Sequence, residues 1–326
     1  MKQSMMSVPT AVLGDLFKAH EQFLWGLCYR LTGNAADADD LVQETFVRAM
    51  EHPPARTDEP WRPWLVRVAL NLGRDLLRRR KRRHYVGPWL PSPIETGDEA
   101  SPPSYEPAAD AEGNPAARYD LLESVSFAFL LALEALTPAQ RAVLLLRDVF
   151  DYSVKETAEA LGMSEANVKT THHRARRAMS DYDRERRLPT RSLQERTRKV
   201  LEQFLSCLSR HDVSGVEALL ADGARHLGDG GGEFFAARVP IVGREKIALF
   251  YARLSEQLSK VTRVELRMLN GLPAVITELS GVGDGYAPRI VTLCDLDEDG
   301  RIKQMHVVLA SRKLTAIRSC SLKSDR

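Results

Sequence analysis

Ser153-Val-Lys-Glu-Thr-Ala-Glu-Ala-Leu-Gly-Met-Ser-Glu-Ala-Asn-Val-Lys-Thr-Thr-His-His-Arg-Ala-Arg-Arg177 is the stretch that decides how this chain is read. Ser153 to Leu161 reads as a short helix with Ala158 and Leu161 buried, and Gly162 stops it. Ser164 caps a second helix, whose Glu165 suits the positive N-terminal end. A short helix, a glycine turn and a capped helix make a helix-turn-helix. In the second helix Val168, His172, Ala175 and Met179 fall on an inner face. Asn167, Lys169, Thr170, Thr171, Arg174 and Arg176 fall elsewhere. Short polar side chains there can approach base edges in a major groove, and the flanking cations can hold the phosphate backbone. His172 reads as a histidine at the edge of a core, because His172-His173 has no metal-ligand spacing.

Upstream, Leu133 to Arg141 sets up another helix, with Thr137 as N-cap and Pro138 as its first residue. Further back, Phe17 to Thr32 carries Phe23, Leu24, Leu27, Cys28 and Leu31 at helical spacing. Asn34 to Met50 follows Gly33. It places Ala38, Leu41, Val42, Thr45, Phe46 and Ala49 on one face and Asp37, Asp40 and Glu44 off it. A solvated acidic face would have the same pattern. A third helix begins near Pro63-Trp64, with Leu65, Val68, Ala69, Leu72 and Leu76 as the expected buried stripe. Arg67, Asn71, Arg74 and Arg78 lie on its other side, and Trp61 and Trp64 at its start. Guanidinium groups bind phosphate, an amide can pair with a base edge, and exposed indoles stack on unpaired bases at roughly 1–3 kcal/mol each. Such a surface suits single-stranded or melting DNA. The Arg78 to Arg83 run could equally be a solubilising helix end.

Charge supports a nucleic-acid partner only when it is read locally. The net charge of the 326 residues is +2, from 46 basic and 44 acidic side chains. Yet Trp61 to His84 holds nine cations against Asp75, and Ser92 to Asp120 holds seven acids against Arg118. The blocks alternate, so the small sum excludes only a uniformly basic coat. Proline marks the seams. Seven of the 17 prolines lie from Pro88 to Pro115, in a stretch without helical or strand period that reads as an extended, flexible acidic linker. A second break falls at Leu188-Pro189-Thr190. Beyond it, helices are expected at about 193–208, 213–220 and 244–256. Strands follow, judged by alternation at Val264 to Met268, Ala274 to Leu279, Ile290 to Leu296 and Ile302 to Leu309. Asp299-Gly300 reads as a type I′ hairpin turn.

With 44 % hydrophobic and 28 % charged residues the chain is globular and not disordered. No apolar run approaches the roughly 18 residues of a membrane span. No signal-peptide core is seen at the N-terminus, so the expected compartment is the cytoplasm. Cys28, Cys207, Cys294 and Cys320 lack C-x-x-C spacing, so neither a disulfide framework nor a metal site is expected, and no cofactor.

Three ordered stretches resemble one family. Asp37-Ala-Asp-Asp-Leu-Val-Gln-Glu-Thr-Phe46 resembles the core-polymerase-binding helix of bacterial sigma factors of the extracytoplasmic-function (ECF) type. Trp64 to Arg78 resembles their −10-element helix. Leu136-Thr-Pro-Ala-Gln-Arg, Leu146-Arg-Asp-Val-Phe-Asp-Tyr-Ser and Val168 to Arg177 resemble their region 4, which binds the −35 element. Tyr85-Val-Gly-Pro-Trp-Leu-Pro-Ser-Pro and Asp229-Gly-Gly-Gly resemble signatures of the ECF factors that carry a C-terminal SnoaL-like domain. Three positions depart from that pattern. Glu233 stands where a Lys is usual, Ser311-Arg-Lys-Leu stands for an Asn-Pro-Asp-Lys-Leu-like segment, and Ser92 stands for a linker acid.

The resemblance implies a multidomain chain. Two all-α sigma domains, a region 2 helical bundle (10–84) and a region 4 helix-turn-helix (119–186), would be joined by the Pro-rich acidic linker (85–118). An α+β SnoaL-like cone (192–320) with curved antiparallel strands would follow. It implies core polymerase contacts at Asp37, Asp39, Asp40, Leu41, Gln43, Glu44 and Phe46. The unpaired −10 strand would meet Trp61, Trp64, Arg67, Asn71, Arg74 and Arg78, with the loop Glu51 to Pro60 near a flipped base. The −35 duplex would meet Asn167, Lys169, Thr170, Thr171, Arg174 and Arg176. The function implied is promoter recognition and transcription initiation on core RNA polymerase. A fused regulatory domain would replace a separate anti-sigma factor and touch the sigma regions or the linker. Trp89, Leu90, Pro91, Asp229, Gly230, Gly231 and Gly232 are the expected regulatory contacts. Two other classes compete. A one-component helix-turn-helix regulator with a ligand-sensing cone needs neither the acidic helix nor the Trp64 to Arg78 block. An enzyme with a DNA-binding appendage needs a convergent acid–base pair among His226, Asp229, Glu278, Asp284 and His306, and no paired spacing stands out, so no catalytic residue is expected.

Overall fold

The computed structural model describes residues 10–54, 60–82, 85–97, 118–186, 188–255 and 258–319. The expectations placed on Ala55 to Glu59, on Arg83, on the linker stretch 98–117 and on Cys320 lie outside the described residues. The chain forms two compact units. Residues 10–82 join 118–186 in the first, and residues 85–97 join 188–319 in the second.

The first unit is all helical. Helices α1 (Thr10–Thr32), α2 (Ala35–Glu51) and α3 (Trp61–Arg82) form a bundle. Asn34 caps α2 by accepting the amide of Asp37. Leu24, Leu27, Leu41, Val42, Leu65, Ala69 and Leu70 are buried between the three helices. The stripe of α3 is Leu65, Val66, Ala69, Leu70, Gly73 and Leu77, whereas Val68, Leu72 and Leu76 are only half-buried. The second helical stretch supplies α4 (Phe127–Ala132), α5 (Pro138–Leu144), α6 (Val154–Leu161), α7 (Glu165–Ala178) and α8 (Ser180–Glu185). Its caps were legible. Thr137 and Ser153 each form a reciprocal capping box, with Gln140 and Glu156. Gly162 closes α6 at φ +62°, and Ser164 accepts the amide of Asn167. Between α5 and α6 the helix widens into a π turn at Leu145–Val149.

The second unit opens with α9 (Arg191–Ser209) and α10 (Val213–Ala218). A six-stranded sheet then forms from β1 (Leu220–Asp229), β2 (Ile241–Val242), β3 (Val261–Leu269), β4 (Leu272–Leu279), β5 (Arg289–Leu296) and β6 (Ile302–Val308), with α11 (Arg244–Ser255) between β2 and β3. The order is β2-β1-β6-β5-β4-β3. The sheet is not wholly antiparallel: β1 runs parallel to β6, with Leu227 opposite His306 and Asp229 opposite Val308. Strand β1 escaped notice because Leu-Ala-Asp-Gly-Ala-Arg-His-Leu-Gly-Asp is rich in residues that strands disfavour, and only its flanking strands make it one. One face of the sheet packs on the helices through Leu201, Phe204, Ile247, Tyr251, Val275, Cys294, Leu296 and Met305.

Two turns differ from expectation. At Asp299-Gly300 only Gly300 has positive φ, +80°. The Gly300 amide donates to the carbonyl of Asp297, so this is a turn closed by a left-handed glycine and not type I′, which needs positive φ at both positions. The two-residue turn with both φ positive is Asn270-Gly271 (52° and 83°), between β3 and β4. Asn-Gly is the pair such a turn favours.

That turn receives the segment before it in the chain. The Ile94 amide donates to the side-chain oxygen of Asn270 (3.1 Å) and the Asn270 amide to the Ile94 carbonyl (3.0 Å). The Thr96 amide donates to Met268, and Gly271 donates to the Thr96 hydroxyl. Leu90, Pro91, Ser92, Pro93 and Ile94 are buried. The start of the presumed flexible linker is therefore integral to the second unit. Proline-rich chain lacks internal hydrogen bonds, so it can lend its free backbone groups to a neighbouring hairpin.

Two outcomes follow. Ile94→Ala removes a side chain that is 2 % exposed. It is expected to cost about 2–4 kcal/mol and to speed proteolysis within 85–97, as read by denaturant unfolding and mass-mapped cleavage. The second concerns His226, buried and 3.2 Å from the Tyr251 hydroxyl. Burial, then the charge of His306, lowers its pKa to about 4. The unfolded histidine near 6.5 binds the proton more tightly than the folded one. Stability is therefore full above pH 6.5 and falls as pH drops towards 4, by a total of about 3 kcal/mol. His226→Gln is expected to flatten that slope in unfolding midpoints taken across pH 4–7.

Candidate nucleic-acid interface and linker clasp

On α2 the acidic residues stand outward. Asp39, Asp40, Gln43 and Glu44 are exposed and Asp37 is half-buried. Trp25 donates to Asp39 (2.6 Å), whose pKa is nonetheless raised, chiefly by burial. Leu41 and Phe46 point into the bundle instead, 5 % and 8 % exposed, so they support the face rather than offer it. Two apolar residues missed in the sequence extend the exposed stripe: Val47 and Met50. Gln43, Val47 and Met50 follow i, i+4, i+7 spacing, and that spacing, set against an acidic face, was the available signal.

On α3 Arg67, Asn71 and Arg78 are exposed, and Arg78 pairs with Asp75 (2.8 Å). Trp61 is buried, its ring edge-on to that of half-buried Trp64 at 6.1 Å, so the indole expected to be exposed is folded inward. Arg74 is turned to α6, where it donates to the Leu161 carbonyl (3.4 Å), and its pKa is lowered, first by burial. On α7 Asn167, Lys169, Thr170, Arg174 and Arg176 are exposed and Thr171 is half-buried. The Thr171 hydroxyl donates to the Asn167 side chain (3.2 Å). Arg176 is tied inward to Asp148.

The two helical stretches of this unit pack on each other through arginines. Arg30, fully buried, donates to the Ser124 hydroxyl (2.7 Å) and to the carbonyls of Leu121 and Gly26. Arg141, also buried, donates to the carbonyls of Leu31 and Leu133 and to Glu134. Arg80 donates to the Thr32 carbonyl and to the same Glu134. The carbonyls of Leu31 and Thr32 end α1, where the helix leaves acceptors without an internal donor and carries negative potential. Guanidinium groups from α3 and α5 fill them. Burial lowers the pKa of Arg30 to about 10, and it also lowers that of Arg141.

In the second unit two of the expected regulatory contacts, Leu90 and Gly231, meet at the Asp229 carboxylate, and Trp89 is reached through Lys313. Asp229 is fully buried. It accepts the Tyr85 hydroxyl (2.6 Å), the Leu90 amide (2.7 Å), the Gly231 amide (3.0 Å) and the Lys313 ammonium (2.5 Å). Lys313 also donates to the Leu90 carbonyl (2.5 Å) and lies over the rings of Trp89 (4.2 Å) and Tyr85 (4.8 Å). The glycines are needed for closeness. A Cβ on Gly230 would sit 2.4 Å from the Phe234 carbonyl oxygen, and one on Gly231 2.8 Å from Ala310, at φ +62°. Lys313 was the residue missed; its signal was the Lys retained in the altered Ser311-Arg-Lys-Leu segment.

The acid–base candidates of the cone are separately engaged. His226 faces Tyr251, Glu278 pairs with Arg289 (2.7 Å), His306 with Asp295 (3.0 Å), and Asp284 is exposed. Cys207, Asp212, Val216 and Ala248 line a small pocket between α9, α10 and α11, and none of the acid–base candidates borders it. Among the described residues no helix is long and apolar enough to cross a membrane.

Comparison with known proteins agrees with this geometry. Residues 16–83 match the sigma-70 region 2 family, and residues 126–179 match sigma-70 region 4. The ECF RNA polymerase sigma factor SigJ of Mycobacterium tuberculosis is 33 % identical over 285 residues, 85 % of this chain and 86 % of the relative. The probable ECF sigma factor SigI of the same species is 26 % identical over 93 % of this chain and 95 % of its own. The crystal structure of M. tuberculosis SigJ superposes with a TM-score of 0.66 at 28 % identity, covering 93 % of this chain and 98 % of that one. With a helical body that carries both sigma signatures and a sheet-bearing C-terminal unit, the chain belongs to the ECF RNA polymerase sigma factors, which bind core polymerase and direct promoter recognition and transcription initiation.

Proposed function

We propose that the C-terminal unit is a built-in regulator of this sigma factor that acts by capturing the linker. The observation that carries this is the Asp229–Lys313 clasp on residues 85–90. Residues 85–97 form the start of the connection between region 2 and region 4. While they are held, fewer residues are left to connect region 2 with region 4.

The roles of the sigma residues fit the same scheme. Asp39, Asp40, Gln43 and Glu44, with Val47 and Met50, present an acidic and partly apolar face to a basic surface of core polymerase. Arg67, Asn71 and Arg78 serve the −10 strand, and Asn167, Lys169, Thr170, Thr171 and Arg174 the −35 duplex. The −10 and −35 elements are separate stretches of the promoter, so reading both sets region 2 and region 4 apart along the duplex. Helices α3 and α6 touch through Arg74 and Leu161. Both elements cannot be read while that contact holds, so initiation requires region 2 and region 4 to separate. Captured linker and packed readers together describe a restrained state.

Two measurements test this. In run-off transcription with purified core polymerase, the D40K/E44K double variant is expected to lose core binding and at least tenfold of the transcript. Asn71→Ala is expected to keep core binding and lose promoter opening. Full activity of both variants would sink the residue assignments. Lys313→Met leaves Asp229 buried without its cation, which is expected to weaken linker docking by about 3–5 kcal/mol. Cleavage within 85–97 and transcript yield are both expected to rise. Faster cleavage with unchanged transcription would remove the linker from regulation.

A further inference from the structure

Asp148 sits in the π turn between α5 and α6, outside every set of expected DNA contacts. Its carboxylate is 1 % exposed. One oxygen accepts the Arg176 Nε (3.0 Å), and the other accepts the Arg176 Nη2 (2.6 Å) and lies 2.9 Å from the His172 Nε2. His172 and Arg176 are one turn apart on the same face of α7. Two contacts at that spacing fix both the tilt of a helix and its rotation about its axis. The main-chain carbonyl of Asp148 is held as well, accepting the Tyr119 amide (3.1 Å). A π turn inserts one residue into a helix and such turns recur at functional sites. Here it brings a single carboxylate under the recognition helix.

We propose that Asp148 is a positioning residue for −35 recognition, setting the rotation of α7 through Arg176 and His172, and that Arg176 works inward rather than on DNA. The inference rests on the reading of α7 as the −35 helix. Arg176 offers its planar Nε and Nη2 edge to the carboxylate in the two-toothed geometry that Lys cannot copy. Burial would raise the Asp148 pKa, but hydrogen bonds from His172 and Arg176 outweigh it and hold the group below the usual carboxylate range. The pair therefore stays ionised and rigid. Asn167, Thr170, Thr171 and Arg174 occupy the outer arc of the same helix. A rotation of α7 by a few tens of degrees would move all four off their base edges together, although none of them had changed.

The test uses holoenzyme assembled from core polymerase and the full chain, on two templates that differ only in an intact or scrambled −35 element. The readout is the ratio of transcripts, because loss of folded protein lowers both templates together. D148N and the milder R176K are each expected to lower that ratio, D148N by tenfold or more. The double variant D148N/R176Q restores a neutral hydrogen-bonded pair and is expected to recover part of it. The inference is overturned if D148N and R176K leave the ratio within twofold of the parent. It is also overturned if the double variant is worse than D148N and the salt dependence of DNA binding drops by about one charge, as a lost phosphate contact would show. R174A separates the two levels. A ratio unchanged by R174A refutes the −35 reading itself. A ratio that R174A collapses while D148N and R176K spare it refutes only the positioning role.

Discussion

The carboxylate of Asp229 is the constraint on which the C-terminal unit depends. Four donors reach it, two from residues 85–90, one from the glycine loop and one from Lys313 near the end of the described chain. Stretches far apart in sequence are thereby tied at one point. Removing two charges from water costs several kcal/mol per ion, so the Asp229–Lys313 pair is a poor way to add stability alone. Its value is selectivity of position. A hydrophobic cluster would tolerate the linker in several registers, whereas an ammonium that needs the Leu90 carbonyl as well as Asp229 accepts one. The rings of Trp89 and Tyr85 complete the shell around the same ammonium. Docking of the linker and completion of the cation's environment are thus one event.

The helical unit uses charge differently. Arg30 and Arg141 bridge its two halves through the main-chain carbonyls of Leu121 and Leu31, Arg80 bridges them through the Glu134 carboxylate, and the Phe23 and Phe150 rings meet edge-on beside them. Carbonyls at a helix end can exchange a guanidinium for water. Arg74 adds a further contact of this kind, from α3 to the Leu161 carbonyl of α6.

The parts legible in the sequence were those set by local chemistry. Caps at Thr137 and Ser164, the stop at Gly162 and the acidic face of α2 depend on neighbours within four residues. The parts that were hidden depend on distant ones. Strand β1 exists because β6 and β2 flank it. Trp61 looked like a stacking surface because exposure cannot be read from a helix start. Residues 85–96 looked like a tether because proline and acid composition describes a chain without partners, and the partner is a hairpin turn some 175 residues onward. Arg176 sat in a cationic patch, yet its carboxylate lies 28 residues earlier in sequence. Asn270-Gly271 was legible and passed over in favour of Asp299-Gly300, whose aspartate keeps negative φ.

The departures from the family pattern follow the same logic of partners. Glu233 replaces a usual Lys just after the glycines, and Ser311 begins the altered segment before Lys313. Taken singly, each would seem to disturb the clasp. In the structure the two face each other: Glu233 accepts the Ser311 hydroxyl (2.7 Å) and the Ser311 amide (3.0 Å). The contact joins the glycine loop to the Lys313 segment from outside, while Asp229 joins them from within. A Lys at 233 could not accept either donor, and without the Ser311 hydroxyl Glu233 would lose one of its two bonds. The two changes are therefore chemically matched, and together they preserve the geometry that lets Lys313 reach Asp229.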